Sequence, residues 1–306
     1  RFITMVRSLK KMNNLPPIYF YLPEKNWRDD MPNEPDIYWE YFGVGIYAWT
    51  LQTYLYLKAD GFPCELVKNI PNEGIIISHR DSFPYELKPK SKQLLICIKP
   101  DRNPHPYAQL HIVQNPQDIE NLNNSYYMPH WIQPGLIPCD PKRGDRFENI
   151  AYFGINSNLA PEIKDPSWSE KLKELGLNWQ IIPRDRWYDY SNIDAIVAVR
   201  SFDQQDYTQK PATKLYNAWH AGVIPILGKE SAFQAERKSE LDYFEVGSVD
   251  DAIAILKNLK NNPQLCQQVR ENTQIRSQET DPQNNVKKWR DFLINAAKPE
   301  YEKWYN

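Results

Sequence analysis

The chain predicts an α/β protein made of two successive strand–helix series, on three observations. Short apolar runs alternate with stretches of helical periodicity. A turn-rich region at residues 115–146, dense in Pro, Asn, Asp and Gly, separates the two series and reads as a linker. The run from Ala195 to Val199 is apolar without alternation, the pattern of a strand buried on both faces of a parallel sheet. At 306 residues the chain is long enough for two domains of ordinary size.

In the first series, residues 18–22 are the opening strand, followed by a loop of Pro, Asn and charged residues. Apolar and aromatic residues recur at helical spacing over 44–56, and Gly61 with Pro63 closes that element. Strands follow at 64–67, 74–78, 93–98 and 109–113. The second series opens with a strand at 149–153 and a polar turn of Gly154, Asn156 and Ser157. A helix at 167–175 stops at Gly176, and strands occupy 179–182 and 195–199. After the 210–222 helix come a strand at 223–227, a short helix at 232–238 and a strand at 243–246. Ser248 caps a helix with Asp250 and Asp251 in its first turn, and Pro263 opens another reaching about 278. The last helix, 286–297, puts Trp289, Phe292 and Leu293 on a packing face.

Formal charge is -2, from 37 basic and 39 acidic side chains, so no long-range field favours nucleic acid. Cys64, Cys97, Cys139 and Cys266 are scattered without a CxxC pair, against a zinc ribbon or a dense disulfide framework, and a reducing, cytoplasmic setting is the economical expectation. No 18-residue apolar run and no signal-like start is present, Arg1, Arg7, Lys10 and Lys11 flanking only a few apolar residues. Peripheral membrane contact stays open. Ten Trp, 19 Tyr and 25 Pro permit a carbohydrate or nucleotide ligand without selecting one. His105, His111 and His130 are irregularly spaced with no carboxylate at ligand distance, and no DxD-like pair follows a strand, so no metal is expected.

The most informative segment is residues 210–228, KPATKLYNAWHAGVIPILG. Pro211 suits a first helical position, Gly222 a helix stop, and residues 223–227 a short buried strand. First-turn N–H groups with Lys210 and Lys214 suit a phosphate or diphosphate, and Glu230 and Ser231 place polar groups beyond the strand. The same spacing also fits an ordinary surface helix packed on a sheet. Arg200 stands at the carboxyl end of the 195–199 strand, where open α/β sheets place ligands. Gly154 would let a ligand approach the backbone, or is simply a tight turn.

Lys214, Leu215, Asn217, Ala218, Gly222, Pro225 and Gly228 form a KLxNAxxxGxxPxxG pattern that resembles the donor-binding half of glycosyltransferases of the GT-B type, particularly fucosyltransferase-like and related sugar transferases. The resemblance implies two Rossmann-like domains facing each other across a cleft. It implies an acceptor-side domain over 1–143, a nucleotide-sugar-binding domain over 144–283, and a final helix, 284–306, packing back on the first domain. The implied donor is a nucleotide diphosphate sugar, and the implied reaction is metal-independent transfer of a hexose or deoxyhexose to a hydroxyl acceptor, with no further cofactor. The donor-binding set is then Gly154, Arg200, Lys210, Lys214, Asn217, Glu230 and Ser231. Two departures matter. Thr213 stands where many such enzymes carry an acid, and Glu236 and Glu240 do not restore the acidic pair of many retaining members, so the stereochemical course stays open.

In the first series, His79 and Asp81 follow a strand and are the candidate acceptor-side catalytic groups, beside Lys214 at the leaving diphosphate. Lys99 with Asp101, and Glu40 between Trp39 and Tyr41, are poorer alternatives. A rival function is a non-catalytic carbohydrate- or nucleotide-binding protein that keeps the donor site. A phosphate-loop protein is disfavoured, since neither GxxxxGK[ST] nor GxGxxG occurs.

Overall fold

A computed structural model of the protein describes residues 14–203 and 205–305, so the basic start from Arg1 to Lys11 lies outside the described residues. The chain divides into two compact units. One runs through His130 and resumes at Pro282, and the other is Trp131–Asp281.

The first unit carries a six-stranded parallel sheet of β1 (Ile18–Tyr21), β2 (Glu65–Val67), β3 (Gly74–His79), β4 (Gln93–Ile98), β5 (Leu110–Val113) and β6 (Ser125–Tyr127). Their order across the sheet is β2-β1-β3-β4-β5-β6. β3 and β4 are buried along their whole length, as their unbroken apolar runs require. The expected helix is Gln52–Ala59, preceded by a π turn at Tyr47–Leu51 whose five residues are all buried. β6 falls inside the region read as linker. Three residues carry too little periodicity to be recognised.

The returning segment completes this core. On the Pro282–Phe292 helix, Trp289 is fully buried with its ring 6.4 Å from Phe20 on β1. The Asn285 side-chain amide donates to the Pro129 carbonyl at 2.9 Å, and Arg290 pairs with Asp60.

The second unit carries a five-stranded parallel sheet of β7 (Asn149–Phe153), β8 (Asn178–Ile182), β9 (Ala195–Ala198), β10 (Ile224–Gly228) and β11 (Phe244–Val246), ordered β11-β10-β9-β7-β8. Strand order reverses beside β7, whose neighbours are β8 and β9. That switch point is where doubly wound sheets leave a crevice beyond the strands' carboxyl ends. The same reversal stands between β1 and β3 of the first sheet. The two sheets, each flanked by helices, are two Rossmann-like domains.

A buried charge fixes the entry to β7. Asp194, fully buried, accepts from Arg143 Nε at 2.9 Å and Nη2 at 2.6 Å, and from the Glu148 and Asn149 N–H groups at 2.9 and 2.8 Å. Four donors on one carboxylate offset its desolvation, and they bind the 140s segment to the amino ends of β7 and β9.

Candidate functional site

Beyond the carboxyl ends of β7, β9 and β10 the structure gathers Gly154, Arg200, Glu230 and Lys214. Lys214 lies in the first turn of the Thr213–Ala221 helix, two residues later in the chain than a start at Pro211 would put the first turn. The helix opens at Ala212 because a turn through 207–210, closed by the Lys210 N–H on the Tyr207 carbonyl at 2.8 Å, takes up the residues before it. Gly222, at φ 68°, ends it in the left-handed region.

The Lys214 ammonium donates to the Phe153 carbonyl at 2.9 Å and stands 5.1 Å from the centre of the Tyr152 ring. Its enclosure lowers the Lys214 pKa to about 7, with a smaller push from the Arg200 charge and an opposing pull from Glu230. Arg200 Nε meets Glu230 Oε2 at 3.2 Å. Burial raises the Glu230 pKa, against the pull of Arg200, Lys214 and Lys210. Arg200, Lys214 and Lys210 thus all act on one buried carboxylate. Cations gathered in this way suit an anion.

Both glycines at the carboxyl ends of β7 and β10 are closely packed. A Cβ on Gly154 would come within 2.6 Å of the Tyr152 hydroxyl and 2.9 Å of Lys214 Nζ, and one on Gly228 within 3.1 Å of Val199 Cγ1. The Thr213 hydroxyl is buried without a hydrogen-bond partner, at the helix start and next to Lys214.

Two residues of the expected donor set make hydrogen bonds that brace the surrounding loops. Asn217 Oδ1 accepts from the Gln133 N–H at 2.8 Å, and its side chain hydrogen-bonds Tyr190. Ser231 donates both its N–H, at 3.0 Å, and its hydroxyl, at 2.8 Å, to the Asp206 carbonyl, tying the loop before Lys210 to the end of β10. Sequence reasoning missed Tyr152. β7 is buried on both faces, so no alternation marks which of its side chains lies under the lysine.

In the first unit His79 ends β3 and is buried. Its Nδ1 accepts the Asp81 N–H at 3.1 Å, so the neutral ring carries its proton on Nε2, against Gly45. Burial, ahead of the neighbouring charges, lowers its pKa to about 4. The Asp81 carboxylate takes both oxygens' bonds from Arg102 Nε, each at 3.1 Å. Lys99 is committed to Asp118 at 2.7 Å, and Asp101 to Arg102 at 2.9 Å. Among the described residues no group of three or more His, Cys, Asp or Glu side chains is placed to hold a metal ion, and no helix is long and apolar enough to cross a membrane.

No protein-family model matches the chain, and no curated protein matches its sequence. Solved structures share its fold. AviGT4, described as a glycosyltransferase involved in avilamycin A biosynthesis, aligns over 92% of this chain and 99% of its own at a TM-score of 0.50 and 13% identity. TarM aligns at 0.50 and 11% identity over 80% of this chain. A point mutant of S. aureus TarM, in complex with fondaparinux, alpha-GlcNAc-glycerol and UDP, aligns at 0.52 and 12% identity over the same share. The chain spans 58% of TarM's length. The fold is therefore the GT-B-like glycosyltransferase fold.

Proposed function

We propose that the protein is a glycosyltransferase that moves a hexose or deoxyhexose from a nucleotide diphosphate sugar to a hydroxyl acceptor without a metal ion. The observation that carries this reading is the enclosed Lys214 ammonium at the switch point of the second sheet, where Arg200 and Lys210 act with it on Glu230 and glycines stand at the strand ends. AviGT4 being a glycosyltransferase, and UDP being bound in the TarM complex, agree with it.

In this scheme Lys214, Arg200 and Lys210 hold the diphosphate, and their attraction grows as the bond to the sugar breaks and negative charge gathers on the leaving group. The Thr213 hydroxyl adds a donor, and Gly154 leaves the backbone open to the phosphates. Glu230, kept by Arg200, accepts from a sugar or ribose hydroxyl. Asn217 and Ser231 hold the surrounding loops. In the first unit, Asp81 is the group with carboxylate surface to take the acceptor proton, and His79, with its proton on Nε2, orients its neighbours.

Calorimetry with nucleoside diphosphates in the presence of a chelator tests the donor half. Wild type is expected to bind at least one of them, and Lys214→Ala to bind it roughly 10- to 150-fold more weakly, the loss of a charged hydrogen bond worth about 1.5–3 kcal/mol. Unchanged affinity in a folded Lys214→Ala protein rejects the assignment. Binding without transfer or donor hydrolysis, across a panel of acceptors, favours the non-catalytic reading.

A further inference from the structure

The loop after β3 carries a further cation. Arg80 follows His79 directly, and its backbone N–H is fixed to the Ile98 carbonyl at 2.8 Å. Its Nε is buried without a hydrogen-bond partner, and no ion pair to Arg80 is formed among the described residues. The acids nearest in sequence are spent: Arg102 holds both Asp81 and Asp101, and Lys99 holds Asp118. Glu86, further along the loop, is exposed. Two positions on, Ser82 is buried to 4% exposure, and its hydroxyl also lacks a partner. Behind burial itself, the Arg80 charge contributes to lowering the pKa values of His79, His105 and His111, so its field reaches across this end of the sheet. A guanidinium whose Nε is buried without an acceptor, two residues from a buried hydroxyl that also lacks one, is completed by an anion.

Aromatic rings stand on this loop and on the one after β4. Tyr85, 62% exposed, lies under the Arg80 guanidinium at 5.7 Å, and Tyr107, 37% exposed, lies under the Lys88 ammonium at 4.9 Å. The loops bearing them are pinned together: His105 Nε2 donates to the Pro84 carbonyl at 2.8 Å while its Nδ1 accepts the Tyr107 N–H at 3.2 Å. Buried Phe83, stacked with Tyr21 at 6.1 Å, anchors the first loop from beneath. Two exposed rings, each with a cation over its face, on a rigid base, suit a ligand with apolar sugar faces and a negative charge.

We propose that Arg80 and Ser82, flanked by Tyr85, Tyr107 and Lys88, bind a saccharide carrying a carboxylate or phosphate, and that this anionic sugar is the acceptor class of the transferase; the acceptor role rests on the function proposed above, while the binding site stands on its own residues. Titration without nucleotide, using glucose, glucuronate, glucose 6-phosphate and inorganic phosphate as probes, separates the cases. At least one charged sugar is expected to bind roughly 10-fold or more tighter than glucose, the carboxylate and phosphate arms deciding which anion is preferred. Arg80→Gln is expected to erase that preference, and Tyr85→Ala to weaken the sugar without weakening inorganic phosphate. Ser82→Ala removes an unsatisfied buried hydroxyl, so it should fold at least as well as wild type while losing several-fold affinity for the charged sugar. Equal binding of glucose and the charged sugars, or an unchanged preference in Ser82→Ala and in folded Arg80→Gln, overturns the site. Inorganic phosphate matching glucose 6-phosphate in wild type and Tyr85→Ala alike overturns the saccharide class. Nucleoside diphosphate affinity, measured separately, should be unaltered in all three variants; its absence in wild type would reject the donor reading and the acceptor role, with the charged-sugar preference still deciding the site.

Discussion

If a diphosphate binds at Lys214, its affinity must fall with rising pH. The enclosed ammonium has a pKa of about 7 against an ordinary lysine value of 10.5. Without ligand, then, about half of the molecules carry the charge at pH 7 and about one in a hundred at pH 9. A bound diphosphate supplies the missing counter-charge and returns the lysine toward its ordinary value, so that binding takes up a proton. Association should weaken by up to roughly 50-fold between pH 7 and pH 9, a range in which the diphosphate itself is almost fully ionised. The empty protein should show the opposite sign. Across pH 7 to 10.5 the unfolded chain holds a lysine proton that the folded chain lacks, so this residue's contribution to stability rises with pH. Calorimetry in buffers of differing ionisation enthalpy reads affinity and proton uptake together, and Lys214→Met should abolish both slopes. A flat affinity from pH 7 to pH 9, or a slope that persists in Lys214→Met, would refute the placement of the diphosphate on this ammonium.

Asp194→Asn should destabilise the second unit by about 3–5 kcal/mol, read as a lowered urea midpoint, because the amide leaves the buried Arg143 guanidinium uncompensated and cannot accept all four hydrogen bonds. In the first unit, burial lowers both His79 and His111 to about 4, so each is neutral when folded and protonated when unfolded between that value and 6.5. Their contribution is complete above pH 6.5 and is lost as pH falls toward 4, roughly 2 kcal/mol per imidazole by pH 5. Chemical denaturation from pH 7 to pH 5 should show this loss, and His111→Gln should remove about half of the slope.

The layered α/β architecture was legible because β3, β4 and β9 are short unbroken apolar runs bounded by polar turns, and because Arg200 and Glu230 stand two residues beyond the ends of β9 and β10. Lys214 was legible from its pattern. Its environment was not: the Phe153 carbonyl and the Tyr152 ring reach it only through the pairing of the second sheet, 61 residues away for the hydrogen bond. Asn217 shows the same limit, since three-residue spacing puts it near the lysine's side of the helix while its partner, Gln133, comes from 84 residues earlier. The helix start was placed early because Pro211 satisfies the first-position rule, whereas the turn through 207–210 leaves that proline ahead of the Ala212 cap. Arg80 stands in sequence between His79 and Asp81 with no role of its own assigned there; its distinction lies in forming no ion pair among the described residues, which residue order does not record.

The first unit is interrupted. Its core needs Trp289 against Phe20, yet every residue from Trp131 to Asp281 leaves the ribosome between the two. Domains formed from one continuous stretch mature in the order of synthesis. Here the order inverts: the later stretch can close its sheet while the earlier one still waits for the Pro282–Phe292 helix. Until then β1 exposes an apolar face to solvent, which makes the nascent first unit the part of this chain most in need of a chaperone.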